Sequence, residues 1–166
     1  MGKFTISSAV MKMSEHMAVM YYYLTKEMVA DYGDAAKETI RRAIIEFGHE
    51  RGRKIREEVL RNGEEITIEN LDRYYDIPIE EGWSPKRTYE PDRKLNQTDA
   101  CIFAEIWKER DWAEIGHIYC LVDTAIREGY SEGSDRKVVF HPGKNLMMGD
   151  ECCTSLTDYK EEKPET

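Results

Sequence analysis

DAAKETIRRAIIEFGHERGRKIREEVLRNG, residues 34–63, carries a helical period from end to end. Ile40, Ala43, Ile44, Phe47, Ile55 and Val59 fall on one apolar stripe. The spacing predicts a helix from about Asp34 to Leu60, stopped by Asn62-Gly63 as a C-cap pair. The other positions alternate in sign, with Arg41, Arg42, Arg51, Arg53, Lys54 and Arg56 set against Glu38, Glu46, Glu50, Glu57 and Glu58. Mixed charge of this kind reads as a solvated helix surface with local ion pairs. Gly48 and Gly52 interrupt the helix at i, i+4, each costing about 1 kcal/mol against alanine. Two glycines on one face imply a very close approach, by a neighbouring helix or by a ligand. The helix is the preferred reading, since close backbone approach is the usual use of glycine.

Upstream, Val10, Met13, Met17, Met20, Tyr21, Leu24 and Met28 approach an i, i+3, i+4, i+7 series. They predict a first helix over about 8–30 whose methionines pack in the core. Ser7 or Ser8 is the expected N-cap and Gly33 the stop. Downstream, a short helix over about 68–75 leads into a connection through Ile77-Pro78 and Gly82-Trp83-Ser84-Pro85. There the period changes. Residues 86–90 and 98–103 read as strands separated by a polar turn through Pro91-Asp92-Arg93-Lys94. Residues 104–110 suit a short helix. Asp111 or Trp112 then starts a longer one, running to about Arg127 and closed by Gly129. Residues 137–141 form a strand by their Val138-Val139-Phe140 run, ended by Pro142-Gly143, and 152–159 are a final strand candidate.

Helices first and strands later give an α+β fold, with N-terminal helices packed against a small antiparallel sheet and a long helix in the C-terminal half. No repeat or long linker divides the 166 residues, so 1–159 is expected to be one domain and the charged tail 160–166 to be disordered. The formal charge of −9, from 24 basic and 33 acidic residues without a basic stripe, disfavours nucleic acid as a partner. No apolar run approaches the roughly 18 residues of a membrane span. A basic n-region followed by an apolar h-region is also missing from the N-terminus. A cytoplasmic location is therefore expected, with no membrane partner and with Cys101, Cys120, Cys152 and Cys153 as free thiols. The methionine-rich first helix would also serve as a face between copies of the chain in a homo-oligomer.

Three constellations carry candidate chemistry. His117, Cys120 and Asp123 recur at intervals of three on the long helix, and imidazole beside thiol is a means of making a thiolate nucleophile or a metal site. Equally, Cys120 can be a small buried apolar residue. Gly149-Asp150-Glu151-Cys152-Cys153 brings two cysteines to the start of a strand, where alternation sends one of them to each face. Glu46-Phe47-Gly48-His49 and Glu114-Ile115-Gly116-His117 repeat a Glu-x-Gly-His pattern, as in di-metal helical bundles, but the sheet spoils the four-helix requirement. A phosphate-binding Gly-rich loop, a paired C-x-x-C and a G-x-S-x-G elbow are all missing, which argues against nucleotide-dependent chemistry and the common hydrolase folds.

The run Cys101 to Trp107 (CIFAEIW), Gly116-His117-Ile118-Tyr119-Cys120 with Asp123, Gly129-Tyr130, and Gly149-Asp150 with Cys153 resembles the L-2-amino-thiazoline-4-carboxylic acid hydrolase family. The resemblance covers about residues 35–158 and is sharpest over 100–153. A more distant look is that of 4-vinyl reductase-type small-ligand domains. The resemblance implies hydrolytic opening of a small cyclic amidine or thiazoline ring bearing a carboxylate, and it places Cys120, Asp123, Asp150 and Cys153 at the family's matching positions. Cys152, beside Cys153, is an addition of this chain.

The resulting expectation is a hydrolase for a C–N bond of a small cyclic substrate, with no cofactor. The Cys153 thiolate attacks, His117 lowers its pKa or moves the proton, Asp123 or Asp150 orients the partner, and Glu105 is a reserve general base. An alternative makes Cys120, Cys153 and His117 the ligands of a divalent metal such as zinc that activates water. A second class of function is a small-molecule or metal-binding sensor domain without catalysis, supported by the aromatic residues Tyr21, Tyr22, Tyr23, Trp83, Trp107, Trp112 and Tyr119.

Overall fold

The computed structural model describes residues 6–78, 83 and 85–161. Two long helices come first, α1 (Ile6–Tyr32) and α2 (Asp34–Arg61), joined at Gly33 as expected. The end of α2 is fixed by two backbone bonds, from Glu64 N–H to the Val59 carbonyl (3.1 Å) and from Gly63 N–H to the Leu60 carbonyl (3.0 Å). This pairing needs a left-handed residue at its turn, and Gly63 supplies it with φ 73°. A short helix, α3 (Ile68–Arg73), follows, and the Thr67 side chain caps it by accepting from Asn70 N–H.

The first helix differs from expectation on its core face. Met13, Met20 and Leu24 are 68%, 58% and 60% exposed, while Ser14, Ala18 and Thr25 are buried. Met17, Tyr21 and Met28 of the expected stripe do pack against the core, with the small Ser14, Ala18 and Thr25 beside them where α1 comes closest to its neighbours. Trp107 Nε1 donates to the Ala18 carbonyl at 2.8 Å, and Trp112 Nε1 to Thr25 Oγ1 at 2.8 Å. Ser7 and Ser8, expected as caps, lie inside the helix.

The second correction concerns the sheet. β1 (Pro85–Glu90) and β2 (Arg93–Thr98) form a hairpin closed by Pro91-Asp92, so residues 98–103 are not a strand. Thr98 ends β2, and a helix, α4 (Ile102–Lys108), begins shortly after. The sequence of β2, RKLNQT, has almost no apolar alternation because one of its inward positions is a lysine. Lys94 is 3% exposed and its Nζ donates to Asp72 of α3 at 2.6 and 2.8 Å.

Two helices continue the chain, α5 (Ala113–Tyr119) and α6 (Val122–Tyr130). Cys120 and Leu121 between them keep right-handed helical angles. Their N–H groups bond three residues back, to the His117 (3.0 Å) and Ile118 (3.2 Å) carbonyls, so the run over 113–130 tightens at Cys120 without ending. Gly129 is not the stop, because the helix passes through it to Tyr130. β3 (Arg136–Pro142), a 3₁₀ turn at Leu146–Met148 and β4 (Cys153–Glu161) complete the chain. The four strands are antiparallel in the order β1-β2-β4-β3. β4 carries Lys160 and Glu161, and the rest of the expected tail, 162–166, lies outside the described residues.

The α+β architecture has two apolar clusters. The larger joins Ile40, Ile44, Ile55 and Val59 of α2 to Ile68, Leu71, Ile118, Val122, Ile126, Tyr130 and Val138. The smaller holds Ala18, Phe103, Ala104, Ile106, Trp107 and Met147. Between α2 and α6 the backbones almost touch. A Cβ on Gly52 would stand 2.2 Å from the Ile126 carbonyl oxygen, one on Gly48 2.5 Å from Ala125 Cβ, and one on Gly129 2.4 Å from the His49 carbonyl oxygen. The glycine pair in α2 serves a neighbouring helix, which fixes α6 in place at the edge of a cavity.

Candidate functional site

Asp123 and Arg127 lie four residues apart on α6, one turn along a single helical face. That face, together with α4, the β2–β4 pair and loop 143–152, walls a cavity of about 310 Å³. This is the lower end of the size of small-molecule sites. Trp83, Phe103, Trp107, Tyr119, Phe140 and Met147 give it an apolar wall. The rings are mutually braced: Phe103 meets Trp107 at 5.2 Å and Tyr119 at 5.3 Å between centroids.

Three thiols reach this cavity, those of Cys101, Cys120 and Cys153, with His117 and Asp123 on the same wall. Cys152 does not line it and is buried, 6% exposed. Cys153, the first residue of β4, is the member of the pair that faces the cavity, and Cys152 lies just before the strand. Burial pushes the Cys101 thiol up to about 11 and the Cys120 thiol up to about 12, although the Asn145 side chain hydrogen-bonds Cys120 and eases it. Cys153 is also raised by burial, and the Leu146 N–H, donating to Cys153 Sγ at 3.3 Å, opposes the rise. All three are therefore thiols, not thiolates, at neutral pH. Among the described residues no hydrogen bond ties His117 to a thiol.

Asp150 has a supporting place. It is not on the cavity wall, and its Oδ2 accepts from Asn145 N–H at 2.7 Å. Asn145 Oδ1 in turn accepts from Met147 N–H at 2.8 Å, and Gly149 closes the 3₁₀ turn with φ 97°. The Gly149-Asp150 pair thus folds the loop that presents Asn145 to Cys120 and leads into Cys153. Glu105 is exposed on α4 and does not line the cavity. The Glu46-Phe47-Gly48-His49 motif also leads elsewhere, since His49 Nε2 pairs with Glu128 Oε2 at 2.7 Å on the surface. Among the described residues no three His, Cys, Asp or Glu side chains are grouped closely enough to hold a metal ion, while Cys120, Cys153 and His117 of the alternative zinc set line the same cavity.

Sequence reasoning missed three contributors to this wall, Asn145, Arg127 and Lys94. Arg127 carried a readable signal, because it follows Asp123 at i+4 on the helix of the motif, the spacing of a helical ion pair. Lys94 carried none, because its place depends on Asp72 from another element.

The family model described as L-2-amino-thiazoline-4-carboxylic acid hydrolase matches residues 11–155. The chain belongs to this family. The match takes in most of α1, upstream of the point at which the sequence resemblance was expected to begin, and it spans the residues that line the cavity, Arg51 to Ser155. Family membership supports a hydrolase-like function. No curated protein matches the chain. Among solved structures it resembles a trafficking protein particle complex subunit 3 from Naegleria fowleri, covalently bound to palmitic acid. The two superpose with a TM-score of 0.54 at 16% identity, over 92% of this chain and 98% of that one. At that identity the likeness is one of fold. No helix among the described residues is long and apolar enough to cross a membrane.

Proposed function

We propose that this family member hydrolyses a C–N bond of a small cyclic amidine-like substrate bound in the cavity, with Cys153 as nucleophile and Asp123 as its proton acceptor. The observation that carries the reading is the convergence of Cys101, Cys120, Cys153 and Asp123, from three separate segments, on one aromatic-walled cavity. Because the thiols are held protonated, the proton must leave as the sulfur attacks. A thiol of raised pKa gives a more nucleophilic sulfur once the proton is taken, so burial and a nearby carboxylate work together.

The Cys153 Sγ–carbon bond forms as the thiol proton passes to Asp123. The electron pair of the carbon–nitrogen double bond moves to nitrogen. Collapse of this adduct breaks the C–N bond, with the proton delivered to the departing nitrogen by way of His117, which lines the same cavity. Water then attacks the sulfur-bound carbon, the C–S bond breaks and the thiol is restored. Cys120 and Asn145 shape the site beside the nucleophile, and Asp150 is a positioning residue. The test is turnover of 2-amino-thiazoline-4-carboxylate, followed by loss of the ring. Cys153→Ser is expected to lower it by about a hundredfold or more, and Cys120→Ser by much less. Unchanged turnover in Cys153→Ser removes the thiol nucleophile.

The raised thiols also favour a second reading, a small-molecule binding domain that does no chemistry. It shares with the first the cavity and its aromatic wall, and it has the fold likeness to a subunit found with a bound fatty acid. Saturable binding of the thiazoline ligand without turnover in the unmodified protein would select it.

A further inference from the structure

The charge of the cavity is opposite to that of the chain. The protein carries a formal −9. Its described cavity wall holds Arg51, Lys94, Arg127 and Lys144 against one carboxylate, Asp123. Three of these cations are neutralised from behind by acids off the described wall. Asp76 takes Arg51 through two bonds, at 2.7 and 2.6 Å, Asp72 takes Lys94, and Glu151 takes Lys144.

Arg127 is different. It is 7% exposed and lies over the Phe140 ring, 4.7 Å from its centroid. Its Nη1 donates to the carbonyl of Asp123 at 2.9 Å and to its Oδ1 at 3.0 Å, while Nε is buried and meets no acceptor. Protein interiors seldom leave a charged donor unpaired, and here the Nε edge of the guanidinium is free for a further acceptor. Lys94 lies close enough for the two charges to oppose one another. Burial, with the Arg127 charge adding to it, holds the Lys94 ammonium below its ordinary value despite Asp72. Arg127 keeps a buried donor to spare beside its bond to Asp123, and Lys94, paired with Asp72, sets a second ammonium next to it, an arrangement that suits an anion.

We propose that Arg127, with Lys94 beside it, forms an anion subsite that takes the carboxylate of a small organic acid, the body of the ligand lying against Trp83, Phe103, Trp107 and Tyr119. The inference rests on the cavity being the substrate site and adds to it the residue that selects the charge of the substrate. Arg127 is suited to the role because its planar fork matches two carboxylate oxygens, a match that a lysine at the same position lacks. Asp123, held by the same guanidinium, is thereby set beside the bound acid.

The test is calorimetric binding to the intact chain of thiazole-4-carboxylate and of its uncharged amide, thiazole-4-carboxamide, neither of which has a bond that this chemistry opens. The carboxylate is expected to bind at least about tenfold more tightly than the amide, with the preference weakening as salt is added. In Arg127→Gln the preference is expected to vanish. If that variant does not fold, Arg127→Lys keeps the charge and is still expected to lose about tenfold in carboxylate affinity. Equal binding of acid and amide by the unmodified chain would overturn the subsite, as would a preference that survives in either folded variant. A retained acid preference in a protein that never turns over the thiazoline would leave the subsite standing and remove only the hydrolase reading.

Discussion

Ala125 and Gly129 on one face of α6 press against Gly48 and Gly52 of α2, at distances that leave no room for another methyl group. Asp123 and Arg127, on the opposite face, stand at the wall of a cavity of about 310 Å³. Both faces repeat at i, i+4, yet one is dry, small and in contact along its length, and the other is charged and open. The contrast teaches that the closeness of the first face makes the second usable. A helix clamped by backbone contact cannot roll, so its carboxylate and guanidinium keep their positions relative to Cys153 on β4, with the Phe140 ring under the guanidinium.

The strongest way to break this account is to force the two helices apart. Gly52→Val places two methyl groups where the Ile126 carbonyl now stands 2.2 Å from a would-be Cβ. Overpacking of this kind costs about 3 kcal/mol, which for a chain of this size lowers the melting temperature by roughly 6–12 °C. Thermal denaturation followed by circular dichroism reads it. A variant that melts with the unmodified protein would show that the seam does not clamp α6. Gly33→Ala is a useful control, since nothing lies within 4 Å of that position and only its φ of 58° opposes a side chain, at about 1 kcal/mol.

On the cavity face the largest effect is expected from Asp123→Asn. The substitution keeps the shape and removes the proton acceptor, so turnover should fall by about a hundredfold or more while the melting temperature changes little. A fall in stability as large as that of Gly52→Val, with turnover preserved in the folded fraction, would make Asp123 a structural partner of Arg127 and nothing else. Asp150→Ala is expected to act more weakly and through the loop. The Asn145 N–H loses its acceptor, which costs about 1–3 kcal/mol, and KM should rise more than kcat falls because the reacting groups remain.

The two faces were not equally legible in the sequence. The glycine seam was readable because a helix interior tolerates Gly48 and Gly52 only for a reason, and contact with another backbone is the usual one. Cys120, His117, Asp123 and Cys153 could be named from motif order, and the structure brings them to one wall. The polar half of that wall could not be named. Lys94 lies in a strand too polar to look like one, and its burial is possible only because Asp72 arrives from α3. The same limit explains α1. Met17, Tyr21 and Met28 of its large apolar stripe pack inward, but Met13, Met20 and Leu24 do not, because the rest of the packed face is made of side chains small enough for Trp107 and Trp112 to reach its carbonyl and hydroxyl oxygens.

The smallest effect expected separates the thiols from one another. Burial raises Cys120 to about 12, while Cys153 is raised with the Leu146 N–H working against the shift. With a pKa near 12, about one Cys120 in ten thousand is a thiolate at pH 8. Its alkylation by iodoacetamide should therefore climb about tenfold per pH unit and still be rising at pH 10, where an unhindered thiol has levelled off. Cys153 should react ahead of it throughout. The sign for stability follows from the same shift. The folded chain keeps a proton that the unfolded chain releases, so the contribution of Cys120 is complete below the ordinary thiol value near 9 and is lost as pH rises towards 12. Peptide-resolved mass spectrometry across pH 7–11 measures the alkylation directly. A Cys153 rate that flattens near pH 8 would mean that the cavity stabilises the thiolate of the nucleophile after all. In that case the proton would already have left before attack, and Asp123 would not be needed as its acceptor.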